Sequence, residues 1–120
     1  MMMQTPVYTH EVLFSQSLLR PGQFGTISFA RGSHLQDMEG WPDYWMGLPP
    51  QFHITHAGSP ALHLLNTRAA GVHCFGTGRL PAERAARHGN PFPGETAIFG
   101  LASSDMALEV TRSLFQTVRP

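Results

Sequence analysis

The sequence predicts an α+β fold: an antiparallel, curved sheet of about five or six strands, with a short helix near residues 81–88 and a C-terminal helix near 105–117. Three observations predict it. Residues 51–76 read QFHITHAGSPALHLLNTRAAGVHCFG, three short apolar runs separated by turn chemistry. Residues 81–89 read PAERAARHG, with proline for a first helical turn, alanines within and a glycine to stop it. In the tail, a helix collects Ala107, Val110, Leu114 and Val118 on one stripe and Glu109, Arg112, Ser113 and Gln116 on the other, whereas a strand alternates well at Met106, Leu108 and Val110 but puts Arg112 and Gln116 on the apolar face.

The length of 120 residues is that of a single domain, 1–120, able to bury a core without disulfides or metal. Charged residues make up 13% of the chain, about half the usual share of roughly 25%. With 12 Gly and 10 Pro, this describes a turn-rich globular protein whose neighbours meet little repulsion, so the partner expected is a second copy or another protein. Eight basic and eight acidic residues cancel, which argues against nucleic acid or an anionic membrane as partner. One cysteine forms no internal disulfide. The first residues carry His10 and Glu11 where a signal peptide is apolar, and no apolar run approaches the roughly 20 residues of a membrane span. A soluble, cytoplasmic protein is the expectation.

Taken in order, Val7, Tyr8, Val12, Leu13 and Phe14 suggest a strand ending near Ser15. Pro21-Gly22 then turns the chain, and residues 24–30, FGTISFA, form a second strand candidate. Periodicity disappears over residues 31–50, which read as a long structured loop, a kind of segment that is often functional. The stretch 51–76 follows as an antiparallel meander of 51–56, 61–66 and 72–76, with turns at 57–60 and 68–71. Within the short helix Glu83 can reach Arg87 at i,i+4. The stiff turn at 90–94 leads into a strand at 96–101.

Chemistry has three candidate places. In the meander, turn registers centred on Gly58-Ser59 and on Ala69 put His56, His63 and His73 on one face of adjacent strands. Three imidazoles converging there would suit zinc or non-haem iron with one position left open. Cys74 invites a thiolate reading, though His73 beside it points to the opposite face. The third place is the loop at 31–50, where Trp41, Asp43, Tyr44 and Trp45 cluster with Asp37 and Glu39. Large aromatics with polar handles dominate binding surfaces. Arg79, Arg84 and Arg87 gather near the short helix as partners for those acids. Residues 75–79, FGTGR, end a strand before a helix, the order of an anion site, but without a third glycine.

The functional expectation is a binding or assembly module without intrinsic catalysis and without cofactor, using the aromatic, acidic loop 31–50. The alternative is a small metal-dependent or acid/base enzyme built on His56, His63 and His73, holding zinc or non-haem iron.

Overall fold

Alternation of small and bulky residues builds the sheet, and one exposed edge is left bare. The computed structural model describes residues 5–45, 47–102 and 104–116. Among them are four strands, β1 (Phe29–Leu35), β2 (Ala69–Thr77), β3 (Gly94–Leu101) and β4 (Ala107–Ser113), in the spatial order β1-β4-β3-β2. β1 runs parallel to β4, and the pairs β3–β4 and β2–β3 are antiparallel. Three α-helices accompany them: α1 (His10–Leu19), α2 (Thr55–Leu64) and α3 (Ala82–His88).

The register sorts side chains into two faces. Ala30, Gly32 and His34 of β1, Leu108, Val110 and Arg112 of β4, and Ala97 and Phe99 of β3 point to the covered face. There Ala57, Leu101, Leu108 and Val110 form the core, with Ile54, Ala61, Leu62 and Leu65 packed against it. Phe29, Leu35, Phe75 and Ile98 stand exposed on the other face, beside the Arg31–Glu109 ion pair at 3.0 Å and the Thr96–Thr111 hydroxyl pair at 3.0 Å. β2 is exposed along its whole length. The Cα radius of gyration, 16.0 Å, exceeds the roughly 13.6 Å of a compact domain of this length, consistent with a sheet covered on one side only.

The α+β class stands, but the sheet predicted as antiparallel with five or six strands has four strands and one parallel pair. The meander is absent. Thr55–Leu64 is a helix, because Ile54, Ala57, Gly58, Ala61, Leu62 and Leu65 recur at helical spacing and bury one stripe on the sheet. Gly58-Ser59-Pro60 looked like a turn, yet Pro60 sits inside the helix, its ring tolerated where tertiary packing outweighs propensity. Of the three predicted runs, only the last survives, as part of β2.

The predicted C-terminal helix at 105–117 is strand β4 within 107–113. Its alternation buries Leu108, Val110 and Arg112 in turn, and backbone pairing on both sides removes the helical option. Residues 7–15, expected as a strand, enter a 3₁₀ turn (Thr5–Tyr8) and α1 instead. The second strand starts later than predicted, at Phe29, and so takes in the beginning of the expected loop 31–50. The rest of that segment is strapped to the C-terminal end: Gln36 N–H donates to Ser113 O at 3.0 Å and Met38 N–H to Leu114 O at 2.7 Å.

The helix at Ala82–His88 and its left-handed cap at Gly89 (φ 76°) form as the sequence predicts, and so does a strand over 96–101, within Gly94–Leu101. Among the described residues no helix is long and apolar enough to cross a membrane.

Candidate functional site

Beyond Val110, the covered face of β4 turns polar, and a cavity opens where α2 begins. Arg112 is only 1% exposed. Its Nη1 donates to His34 O at 2.9 Å and Ser113 O at 2.7 Å, and its Nη2 to Gln36 Oε1 at 2.5 Å. These bonds fix the guanidinium across the ends of β1 and β4. Glu95 lies opposite Arg112 in the β3–β4 register, but its carboxylate accepts the Gln51 N–H at 2.9 Å. Gln51 Nε2 donates in turn to Glu95 O at 3.0 Å and Val110 O at 3.1 Å. That clamp holds the 3₁₀ turn Pro50–His53 on the sheet and so places His53 at the mouth of α2.

The cavity, about 440 Å³, is lined by Gln36, Met38, Trp41, Trp45, Phe52, His53, Thr55, His56 and Arg112. Its size falls within the range of about 300–1,000 Å³ typical of small-molecule sites. Trp45 stands 6.0 Å from Trp41 and 5.6 Å from His53 between ring centroids. His34 and His56 meet edge to face at 5.0 Å. His53 Nε2, His34 Nδ1 and Arg112 Nε are buried without a hydrogen-bond partner.

Electrostatics here follow from burial and from one cation. Burial, then the Arg112 charge, then His56 hold the His34 imidazole below its usual pKa. Burial, then Arg112, then His88 do the same for His53. Burial alone lowers His88, which is packed edge-on against Phe115 at 5.1 Å. The guanidinium of Arg112 is itself lowered by burial, to about 10, and stays charged at neutral pH. All three histidines therefore favour the neutral form in the fold.

Stability should fall as the pH is lowered from 7 towards 5. The unfolded histidines titrate near pH 6.5, whereas His34, His53 and His88 titrate lower when folded. Below about 6.5 the unfolded chain binds more protons than the native one, so stability present above that pH is lost as pH drops through the folded values. Urea midpoints measured at pH 7.5, 6.5, 5.5 and 5.0 check this, and a midpoint flat or rising towards pH 5 contradicts it.

The residues singled out in the sequence are divided by the structure. Trp41 and Trp45, each 37% exposed, line the cavity. Tyr44 lies 5.7 Å from Trp45 but is 77% exposed, and Asp43 turns outward to Arg87 at 3.8 Å. Arg84 pairs with Glu39 at 2.6 Å; the expected Glu83–Arg87 pair gives way to these contacts between elements, which are surface pairs of little energetic weight.

His56, His63 and His73 are not brought together: the first two lie two turns apart on α2, and the third is on β2 at the sheet's far edge. Among the described residues no group of three His, Cys, Asp or Glu is placed to hold a metal. Cys74 is exposed, and desolvation followed by the Glu95 carboxylate pushes its thiol up, away from the thiolate.

The residues that sequence reasoning missed are His34, Gln36, His53 and Arg112. The available signal was Arg112 itself, a charge on the apolar face of an otherwise regular strand.

The glycines of residues 75–79 have a packing role. A Cβ at Gly76 would overlap the Phe92 ring, and one at Gly78 (φ 71°) would stand 3.0 Å from Pro93.

No family model matches the chain, and no curated protein matches it in sequence. The fold is similar to part of a solved structure, the myo-inositol 2-dehydrogenase of Lactobacillus plantarum, with a TM-score of 0.69 at 12% identity over 96% of this chain. The chain spans about a third of that protein, 35% of its length. This finding, a fold shared with part of an oxidoreductase, overturns the expectation of a pure binding or assembly module on loop 31–50. The first half of the segment meant to be its free surface is committed to β1 and to the C-terminal strap, while residues 39–45 stay exposed and lend Trp41 and Trp45 to the cavity wall.

Proposed function

We propose that this chain is the substrate-side portion of an oxidoreductase of small polyhydroxylated molecules, with the cavity around Trp41, Trp45, His53 and Arg112 as the place where the substrate sits. The observation that carries the reading is the cavity's composition: two indoles beside an amide, a fixed guanidinium and imidazoles. Indole faces pack against the C–H surface of a polyol ring, while Gln36, Arg112 and His53 offer hydrogen bonds to hydroxyls. A fold similar to part of a polyol dehydrogenase supports the same class.

Oxidising a hydroxyl to a carbonyl sends a hydride to an acceptor, which a part of the enzyme other than the described residues would have to hold, and the hydroxyl proton to a base. His53, kept neutral by burial and by Arg112, is suited to that role, since a base must be unprotonated at working pH. A nicotinamide dinucleotide does not fit the described residues. The parallel neighbours β1 and β4 are connected through α2, β2, α3 and β3, not by the single crossover helix of a dinucleotide unit. The glycines at 76 and 78 are occupied by Phe92 and Pro93.

Trp41 and Trp45 are the only tryptophans, so intrinsic emission reports directly on the cavity. Titration with myo-inositol, sorbitol and glucuronate should give a saturable change for at least one of them. Silence from all three up to about 50 mM, well beyond the usual KM range of about 1 μM to 1 mM, contradicts the reading.

A further inference from the structure

We infer that the ligand of this cavity carries an oxyanion, a carboxylate or phosphate, that docks against Arg112 and His53. The inference rests on the reading of the cavity as a polyhydroxylated-ligand site and deepens it. Three observations carry it.

First, Arg112 is a buried charge with only neutral partners. The ion pairs among the described residues, Arg31–Glu109, Arg84–Glu39 and Arg87–Asp43, leave it out. The carboxylate nearest in register, Glu95, is bonded to the Gln51 backbone. A buried charge is costly unless it is paired.

Second, the guanidinium has donors to spare. Three of its five N–H groups are used, on His34 O, Ser113 O and Gln36 Oε1. The remaining two sit on Nε and Nη2, neighbouring nitrogens of the kind that grip an oxyanion side-on. If the residue were only a clasp between β1 and β4, a neutral donor would suffice and a charge lining a cavity would gain nothing.

Third, the cluster has further unpartnered nitrogen. Arg112 Nε, His34 Nδ1 and His53 Nε2 are all buried without a partner, and Arg112 and His53 line the same cavity. Buried polar atoms are seldom left unbonded. An oxyanion accepts from guanidinium Nε–H and from an imidazole N–H together.

Glucuronate and its neutral amide, glucuronamide, differ at one group and provide the test on the unaltered protein, read by tryptophan emission. Glucuronate should bind at least tenfold tighter, about 1.4 kcal/mol, and the advantage should shrink between 0.05 and 0.5 M NaCl. Arg112→Gln should abolish the preference. Because Arg112 also ties three acceptors, His53→Leu, which leaves those bonds in place and removes the imidazole N–H, should reduce the preference independently. Glucose 6-phosphate tells the two oxyanions apart: whichever of it and glucuronate binds tighter names the group, and either one outdoing its neutral counterpart, glucuronamide or glucose, supports the inference. Equal affinity for charged and neutral ligands overturns the oxyanion and leaves the polyol reading standing. Absence of binding by all of them overturns both.

Discussion

Gly32→Ala should destabilise the protein by roughly 3 kcal/mol, the upper end of what overpacking costs, lowering the melting temperature by about 10 °C or more. A Cβ at this position would stand 2.5 Å from the Ala57 carbonyl oxygen and 3.4 Å from its Cβ. The obstacle is helix backbone, which cannot rotate aside as a side chain can. Gly32 thus sets how closely α2 approaches β1, and any widening also moves His56 and the cavity rim away from Arg112. Gly100→Ala is the control, since nothing lies within 4 Å of a Cβ there; it should change stability by less than about 0.5 kcal/mol. Thermal denaturation followed by circular dichroism compares the two. Equal melting temperatures for the Gly32 and Gly100 variants would refute the close-approach argument.

Leu108→Ala should cost about 3 kcal/mol, in the range of about 2–5 kcal/mol for buried leucines. Leu108 is 1% exposed, in the centre of the core with Ala57, Leu101 and Val110. It also borders an apolar cleft of about 210 Å³ between α2 and the sheet, lined by Ile54, Leu62, Phe99 and Val110 among others. Truncation enlarges a space that its walls already fail to fill, so relaxation recovers little. Phe75→Ala removes a larger side chain that is 64% exposed on the open face and should cost under about 1 kcal/mol. Chemical denaturation gives both values, and a Phe75 effect as large as that of Leu108 would show that the open face is not open in solution.

Certain parts of this architecture were legible because local chemistry and final environment agree. In residues 81–89 proline, alanines and a terminal glycine each favour the helix that forms, whatever surrounds it. Strand β3 is similarly bounded by the stiff turn before it. Elsewhere local and tertiary preferences conflict. The stripe Ile54, Ala57, Gly58, Ala61, Leu62 and Leu65 was present to be read, but Gly-Ser-Pro within it carries a strong turn signal, and only burial on the sheet decides for the helix.

The tail shows the same conflict at the site itself. Read as a strand, it puts Arg112 on the apolar face, and that apparent fault favoured a helix. The strand is what forms, and the residue that breaks its pattern, Arg112, lines the cavity proposed as the site.

By itself the sequence determined the α+β class, the α3 helix with its Gly89 cap, and the aromatic cluster that supplies Trp41 and Trp45 to the cavity wall, because propensity, capping and aromatic clustering act over a few neighbouring residues. Only the tertiary structure decided the parallel β1–β4 pair, the helical state of Thr55–Leu64 and the meeting of His34, Gln36, His53 and Arg112. Those depend on contacts between residues as far apart as 34 and 112, and a chain read in order carries no local trace of which distant strand its charged residue will lie against.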